Sequence, residues 1–219
     1  MSSNTTKKTA VVIFSHGLGD TSRGWTFLVE QFHSRMPWIK WVLPDAPVQP
    51  VTLNGGLQMP SWFDIVALDP AAPEDQKGLL ESVALINQYV QREIDNGIPP
   101  ERIIVGGFSQ GATIGILTGL TSPHKLAGAV SLSGFLQLAD QLKQLRKPHS
   151  VSLPVFWGHG TDDPLVRYDW GQESVDFLVK TLGMKRVDFK TYQGLTHSAS
   201  PKEIEDMMAW IGSKLPQTA

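Results

Sequence analysis

The sequence predicts an α/β fold in which a mainly parallel central sheet has helices on both faces. Short apolar runs alternate with helical patterns along most of the 219 residues. The runs are rich in Val and Ile and mostly lack alternating polarity, which is typical of strands buried on both faces. No linker, repeat or break in composition divides the chain, so we predict a single domain over residues 1–219, with a flexible terminus at residues 1–9.

Six apolar runs are the candidate strands of this sheet. Each is long enough for a buried strand and too short for a membrane span. In chain order they are Val11–Phe14, Trp41–Leu43, Ile103–Gly106, Ala127–Leu132, Val155–Trp157 and Val187–Tyr192.

Two helices between and after these runs have clear sequence signals. Gly97 and Pro99 supply a stop signal for the first helix. The last helix opens with Ser200 as N-cap, Pro201 in the first turn and Glu203 as the acid of a capping box. The first helix buries one face, marked by apolar residues three or four positions apart: Leu79, Val83, Ile86, Val90 and Ile94.

The segment 44–74 departs from this alternation. It is rich in proline and has no clear period, and loops of this length are uncommon in compact domains unless they have a function. The segment is also apolar, with residues such as Leu53, Leu57, Met59 and Trp62. It either packs over an edge of the sheet as ordinary core or lines a binding site, and its pattern alone favours neither.

The composition excludes several classes of function. The chain has 19 Lys and Arg against 21 Asp and Glu, a net charge of −2, so we expect no nucleic-acid partner. Without cysteine there can be no disulfide, cysteine nucleophile or thiolate metal site. No metal-binding motif, secretory signal or membrane-spanning run occurs. We therefore predict a soluble cytoplasmic protein with no metal, cofactor or integral membrane segment.

Residues 107–111, Gly-Phe-Ser-Gln-Gly, give the strongest local signal for catalysis. This G-x-S-x-G sequence follows the strand candidate Ile103–Gly106 and precedes a helical stretch at 112–120. In that context it predicts a nucleophile elbow, a sharp strand-to-helix turn that exposes a serine hydroxyl at the carboxyl end of the sheet. Ser109 is therefore the candidate nucleophile.

The candidate base is His197. A serine nucleophile needs a histidine base, which follows the serine and the acid in the chain order of this architecture. His197 lies in a loop after the last strand candidate, at the correct edge of the sheet. His149 lies in a polar stretch and is interpreted as a surface residue, and His159 as a structural residue of a Gly-His-Gly turn.

Two adjacent aspartates, Asp162 and Asp163, are candidates for the acid that orients the base. Both follow the strand candidate Val155–Trp157. Because neighbouring side chains diverge, only one of them can face His197. Turn formation and helix capping are the alternative roles for the pair, and the pattern does not separate the two residues.

The negative oxygen that forms during acyl transfer needs backbone N–H donors. The residue after the nucleophile, Gln110, should supply one, and the loop after the first strand should supply the other. That loop contains Leu18 between two glycines, Gly17 and Gly19, which let the backbone approach a ligand. The loop lacks the third glycine of a dinucleotide-binding motif.

Six stretches of the sequence resemble the acyl-protein thioesterase / lysophospholipase family, small carboxylesterases of the α/β-hydrolase fold. They span most of the chain in the family's order, and jointly they are highly specific. They are FSHGLGDTSRGW (14–25), APVQPVTLN (46–54), MPSWFDI (59–65), GGFSQGA (106–112), HGTDDPLV (159–166) and TYQGLTHS (191–198).

The resemblance implies a Ser109, His197 and Asp163 triad, with oxyanion donors at Leu18 and Gln110. It selects Asp163 because this aspartate precedes Pro-Leu-Val. It also implies that the long loop lines an acyl channel, for which we expect contributions from the following three residues: Leu57, Met59 and Trp62.

The activity implied by the resemblance is hydrolysis of long-chain thioesters on S-acylated cysteines of proteins. The alternative is a lysophospholipase or a broad small-ester carboxylesterase with the same triad. The expected partners are S-acylated proteins and, in the alternative, lysophospholipids. We also expect transient contact with membrane surfaces, while nuclear access and a homodimer are left open.

Overall fold

The computed structural model describes residues 7–218 and contains one sheet of six parallel strands. The strands of this sheet are β1 (Ala10–Ser15), β2 (Ile39–Val42), β5 (Ile103–Phe108), β6 (Gly128–Leu132), β7 (Val155–Gly160) and β8 (Val187–Tyr192). Their spatial order is β2-β1-β5-β6-β7-β8, with every neighbouring pair parallel. The predicted parallel sheet is thus confirmed. The second strand begins at Ile39, two residues before the predicted start.

Helices cover both faces of the sheet. Because successive residues of a strand point to opposite sides, each strand contributes side chains to both of the cores beneath these helices. The helices are α1 (Thr26–Phe32), α2 (Gln76–Asp95), α3 (Gln110–Thr121), α4 (Ala139–Leu145), α5 (Tyr168–Asp176) and α6 (Pro201–Lys214). In β1, Val11 and Ile13 join the core under α2–α5, whereas Val12 and Phe14 join the core under α1 and α6. The strands are therefore apolar on both faces, as their sequence indicates.

The ends of the helices follow their capping residues. The side chain of Asp75 accepts a hydrogen bond from Gly78 N–H (2.9 Å) at the start of α2. Ser200 Oγ accepts one from Glu203 N–H (3.1 Å) at the start of α6, as predicted for an N-cap. The Glu203 carboxyl is completely buried, and neither oxygen meets full hydrogen-bond geometry with a donor among the described residues. The Ser200 backbone N–H still lowers the pKa of this carboxyl, as expected for the acid of a capping box.

Part of the segment 44–74 forms an antiparallel hairpin that the sequence pattern did not predict. Its strands are β3 (Val48–Val51) and β4 (Leu57–Pro60), and Val48 pairs with Pro60. Prolines within both strands remove ladder donors and hide the period-2 pattern. The hairpin returns the chain to the carboxyl edge of the central sheet, where β1 and β5 also end.

Of the predicted flexible terminus 1–9, residues 1–6 lie outside the described part of the chain. Beyond them, Lys8 Nζ donates to Pro37 O (2.8 Å) and Thr9 N–H donates to Trp38 O (2.9 Å). Within residues 7–218, no helix combines the length and apolarity that a bilayer span requires.

Candidate active site

Ser109 occupies the turn between the end of β5 and the start of α3. Its backbone has φ 54° and ψ −120°, a positive φ that is strained for a residue with a side chain. Ser109 N–H donates to Leu132 O (2.8 Å) at the end of the neighbouring strand β6. This conformation turns the hydroxyl away from the sheet, as the geometry of a nucleophile elbow requires.

The two glycines of the G-x-S-x-G sequence let the elbow pack against the end of β1. A Cβ atom on Gly107 would overlap Ser15 O, and one on Gly111 would overlap the carbonyl oxygens of Ser15 and His16. Any larger residue at either position would push α3 away from β1. The motif therefore places Ser109 beside the loop that follows β1.

A continuous chain of hydrogen bonds joins Ser109 to His197 and Asp163. Ser109 Oγ lies 2.9 Å from His197 Nε2, and His197 Nδ1 lies 2.7 Å from Asp163 Oδ2. The three side chains come from loops after β5, β8 and β7, which all end at the same edge of the parallel sheet. The structure thus brings together the three residues that the sequence singles out as nucleophile, base and acid.

Asp163, and not its neighbour Asp162, is the aspartate that faces His197. Asp163 Oδ1 also accepts hydrogen bonds from Leu165 N–H and Val166 N–H, both at 2.9 Å. Burial alone would raise the pKa of Asp163, but the hydrogen bond from His197 and these two N–H groups outweigh it and lower the pKa. Asp162 is exposed and accepts from Thr161 Oγ1 (2.8 Å).

The backbone N–H groups of Leu18 and Gln110 flank Ser109. Both residues line the same cavity as Ser109 and His197. Neither N–H donates a hydrogen bond to any residue in the described range 7–218. Gln110 is the first residue of α3, so its N–H also has no acceptor within the helix. The two N–H groups are therefore available to a bound oxygen.

A cavity of about 390 Å³ opens beside Ser109 Oγ, and most of its lining is apolar. This volume is within the range of ordinary small-molecule sites. The lining next to Ser109 includes Leu53, Phe63, Ile65, Leu68, Phe135 and Leu165. Leu53, Leu68 and Leu165 are also exposed and form an apolar mouth. The site is suited to a long apolar chain.

None of the three residues predicted for the acyl channel lines this cavity. Leu57 is 62% exposed on the hairpin strand β4. Met59 is half-buried, and its Sδ accepts from the side-chain amide of Asn54 (3.4 Å), a residue that does line the cavity. Trp62 is buried, and its indole N–H donates to His16 O (2.8 Å). The structure therefore places other residues of the same segment, Leu53 and Ile65 among them, against the cavity.

Some of the cavity residues could have been found from the sequence. Phe135 and Leu165 follow β6 and β7, at the carboxyl edge where ligands bind in parallel α/β sheets. Leu53 and Ile65 are apolar residues in the irregular segment. The sequence pattern does not reveal the geometry of the hairpin. That geometry decides which face of the segment points into the cavity.

His159, interpreted from the sequence as structural, is buried at the end of β7. Its Nε2 lies 2.8 Å from Val166 O, and burial lowers its pKa against the opposing effects of Val166 and Asp163. A neutral imidazole that donates to Val166 O supports the loop whose N–H groups bind Asp163. Within residues 7–218, no cluster of three or more His, Asp or Glu side chains is arranged to hold a metal ion.

Comparisons with known proteins agree with this geometry. The profile of the phospholipase/carboxylesterase family matches residues 1–214. Acyl-protein thioesterase 1 of Cryptococcus neoformans is 46% identical over 217 residues, covering 93% of this chain and 91% of the relative. Acyl-protein thioesterase 1 of Saccharomyces cerevisiae is 42% identical over 209 residues, covering 93% and 92%.

Solved structures show the same similarity. Arabidopsis thaliana SOBER1 superposes with a TM-score of 0.88 at 34% identity, covering 94% of this chain and 99% of the other. Zea mays acyl-protein thioesterase 2 superposes with a TM-score of 0.86 at 33% identity, covering 95% of each chain. With the family profile over nearly the whole length and relatives well above 30% identity, this chain belongs to the phospholipase/carboxylesterase family of α/β-hydrolases.

Proposed function

We propose that this protein is a serine hydrolase that cleaves long-chain acyl thioesters from S-acylated cysteines of proteins. The observation that carries the proposal is the hydrogen-bonded series Ser109, His197 and Asp163 at the entrance of an apolar cavity. The similarity to acyl-protein thioesterases over more than nine-tenths of the chain supports the same substrate class.

In the first step, Ser109 Oγ attacks the acyl carbonyl carbon while His197 Nε2 takes the hydroxyl proton. Asp163 holds the imidazole so that Nδ1 carries a proton and Nε2 is free to act as base. The carboxylate also stabilises the imidazolium that forms. The lowered pKa of Asp163 keeps it ionised for this role.

The carbonyl oxygen becomes negative in the tetrahedral intermediate and is stabilised by the N–H groups of Leu18 and Gln110. Each such donor is worth about 3 kcal/mol of transition-state stabilisation in enzymes of this kind. The C–S bond then breaks, and His197 gives its proton to the departing cysteine sulfur. Ser109 is left as an acyl ester.

Water completes the cycle. His197 removes a proton from the water as its oxygen attacks the ester carbonyl, and the same two N–H groups bind the second oxyanion. When the C–Oγ bond breaks, the proton returns to Ser109 and the fatty acid leaves. None of these steps requires a metal or a cofactor.

The apolar cavity favours substrates with a long acyl chain over substrates with a short one. Each methylene that moves from water into such a cavity contributes roughly 0.8 kcal/mol. The exposed side chains of Leu53, Leu68 and Leu165 at the mouth support contact with a lipid surface, from which an acyl chain would be drawn. Cytoplasmic location, access to the nucleus and a homodimer stay predictions.

The alternative is a lysophospholipase or small-ester carboxylesterase, which the same triad and cavity would also serve. The two functions differ in the leaving group, because a lysophospholipid releases an alcohol where an S-acylated protein releases a thiol. The cavity binds the acyl side of either substrate, so kinetics must separate them.

The test compares kcat/KM for a palmitoylated-cysteine peptide with that for palmitoyl lysophosphatidylcholine, with Ser109→Ala as the inactive control. A peptide of the same sequence with O-palmitoyl serine isolates the effect of the leaving group. A thioester preference of tenfold or more, about 1.4 kcal/mol of transition-state binding, is expected. A tenfold preference for the lysophospholipid would make lipid hydrolysis the function and overturn the proposal.

A further inference from the structure

His16 is a buried histidine in the loop after β1 that takes no part in the triad. Its Nε2 accepts a hydrogen bond from Ala46 N–H (3.0 Å), and its Nδ1 lies 2.7 Å from Gly17 O. Because a backbone N–H can only donate, Nε2 must carry the lone pair. The proton is therefore on Nδ1, which donates to Gly17 O, and the ring is neutral.

This short hydrogen bond, together with a longer one from Asp20 N–H to the same Gly17 O (3.3 Å), fixes the direction of one peptide group. In a trans peptide the C=O and the following N–H point in opposite directions. The carbonyl of Gly17 points to His16 Nδ1, so Leu18 N–H, which belongs to the same peptide plane, points away from the imidazole. Leu18 N–H has no acceptor within residues 7–218, and Leu18 lines the cavity beside Ser109.

The peptides on either side are held as well, both by the segment 60–63. Trp62 Nε1 donates to His16 O (2.8 Å), and Gly19 N–H donates to Pro60 O (2.8 Å). Three consecutive peptide groups of the loop are therefore bound before any ligand is present. Rotation of the Leu18 N–H would break at least one of these hydrogen bonds.

The same segment also binds the residue that carries the second N–H donor. The side-chain amide of Gln110 donates to Phe63 O (2.7 Å) and accepts from Trp62 N–H (2.9 Å). The segment 60–63 thus contacts both the β1 loop and the first residue of α3. It sets the spacing of the two donors, Leu18 and Gln110.

We propose that His16, held as the neutral Nδ1–H tautomer, is a positioning residue that aims Leu18 N–H at the oxyanion, with Trp62 as its support. This inference rests on the proposed serine hydrolase function. It does not make His16 a proton donor or acceptor in the reaction. Its role is to orient the Leu18 N–H before the substrate binds. Oxyanion sites gain their catalytic effect from donors that are already oriented.

Two substitutions separate the two ring nitrogens. In His16→Asn the amide N–H₂ can replace the Nδ1 donor, whereas in His16→Gln the amide reaches the Nε2 position and the donor to Gly17 O is lost. We expect His16→Gln to lower kcat by about 100-fold with KM nearly unchanged, and His16→Asn to retain activity within about fivefold. We expect both variants to lose thermal stability, because each removes part of a buried imidazole's hydrogen bonding, so a loss of stability alone would not produce this difference in kcat.

A second readout follows the oxyanion itself. A long-chain trifluoromethyl ketone forms a tetrahedral adduct with a serine nucleophile and places a negative oxygen at the donor site, whereas palmitate binds only the acyl cavity. In His16→Gln, affinity for the ketone should fall by the same factor as kcat/KM, with palmitate affinity unchanged. Equal loss for the two ligands would identify a general structural role and overturn the inference.

Trp62→Phe tests the support with a matched control. It removes the indole donor to His16 O and should lower kcat by about tenfold. Trp38→Phe removes an indole N–H that donates to Leu215 O at the same 2.8 Å, away from the active site, and should leave kcat unchanged.

The results distinguish a failure of the positioning role of His16 from a failure of the proposed hydrolase function. Loss of turnover in Ser109→Ala together with equal kcat in wild type, His16→Gln and Trp62→Phe would overturn the positioning role and leave the proposed function intact. Turnover that survives in Ser109→Ala would instead remove the proposed function, and the positioning role with it.

Discussion

Two carboxyl groups are buried near the active site in opposite environments: Asp163 in the loop after β7 and Glu203 in the first turn of α6. Both side chains are inaccessible to solvent. Asp163 receives three hydrogen bonds, from the N–H groups of Leu165 and Val166 and from His197. Neither oxygen of Glu203 forms a hydrogen bond of full geometry among the described residues, and the Ser200 backbone N–H is the nearby group that favours its charged form.

The two groups consequently titrate in opposite directions. The pKa of Asp163 is lowered despite burial, because the donors favour the carboxylate. Burial and the negative charges of Asp163 and Asp206 raise the pKa of Glu203 to about 8, against the opposing effect of the Ser200 backbone. Burial beside other carboxylates therefore favours a neutral acid, and Asp163 stays ionised because His197 and the N–H groups of the Asp-Pro-Leu-Val turn donate to it.

The largest effect is expected when the carboxylate of Asp163, which faces His197, becomes an amide. In Asp163→Asn the carbonyl oxygen must stay on Leu165 N–H and Val166 N–H, which turns the amide N–H₂ towards His197. His197 Nδ1 then has to accept, so its proton moves to Nε2, the wrong tautomer for a base. We expect kcat/KM to fall by about 10⁴-fold, measured with the palmitoylated-cysteine peptide. A loss below tenfold would contradict the orienting role.

The raised pKa of the buried Glu203 carboxyl should make the free energy of unfolding fall with rising pH. Because the pKa of Glu203 is raised from 4.5 to about 8 in the folded protein, the folded state holds a proton that the unfolded chain releases across this window. The free energy of unfolding should then fall by up to about 1.4 kcal/mol per pH unit between pH 4.5 and about 8, and level off above it. Glu203→Gln should remove this dependence, as measured by urea unfolding at pH 5 and pH 9.

A matched variant checks this assignment. Glu205→Gln changes a carboxyl on the same helix that is 45% exposed and paired with Arg35. It should leave the pH dependence as in wild type. If Glu203→Gln gains no stability over wild type at pH 9, the buried carboxyl is not held protonated.

The Glu203 carboxyl also packs closely against Gly158. A Cβ atom on Gly158 would overlap Glu203 Oε1 and lie 3.2 Å from the Tyr192 ring. Gly158→Ala should therefore lower the free energy of unfolding by about 1–3 kcal/mol. Gly212→Ala in α6 is the control: its Cβ would lie 3.5 Å from Met36 Sδ, an ordinary contact, and helix propensity predicts no loss of stability. Equal effects of the two substitutions would contradict this close packing.

The smallest effect is expected at the neighbour of the catalytic acid. Asp162 is exposed, and among the described residues its side chain bonds only to Thr161 Oγ1. Asp162→Asn should change the free energy of unfolding by no more than about 0.5 kcal/mol and kcat/KM by less than about twofold. A tenfold loss of activity would show that the two aspartates share the role given to Asp163.

Features that depend on local sequence patterns could be predicted from the sequence. The strands and the Ser109 elbow follow from local patterns, since buried parallel strands are continuously apolar and the elbow needs small residues at fixed positions. The order of Ser109 and His197 along the chain follows from the topology. Asp162 and Asp163 could not be separated by pattern, because both belong to one turn and only the resemblance selected between them.

The remaining features depend on contacts between distant parts of the chain. Glu203 has the sequence context of a capping acid, and only the packing of α6 on β7 shows that it is buried. Trp62 is a large apolar residue in the segment expected to line the channel. Its indole N–H instead donates to His16 O, 46 residues earlier in the chain. The cavity lining depends on the β3–β4 hairpin, whose prolines hide its strands.

The most direct test of the account is to locate the acyl group during turnover. Wild-type protein would be mixed with the palmitoylated-cysteine peptide, quenched in acid within the first turnover and digested for mass spectrometry. We expect palmitate esterified to Ser109 in the wild-type protein and no palmitoylated residue in Ser109→Ala. Continued thioester hydrolysis with no acyl group on Ser109, or with one on a different residue, would contradict it.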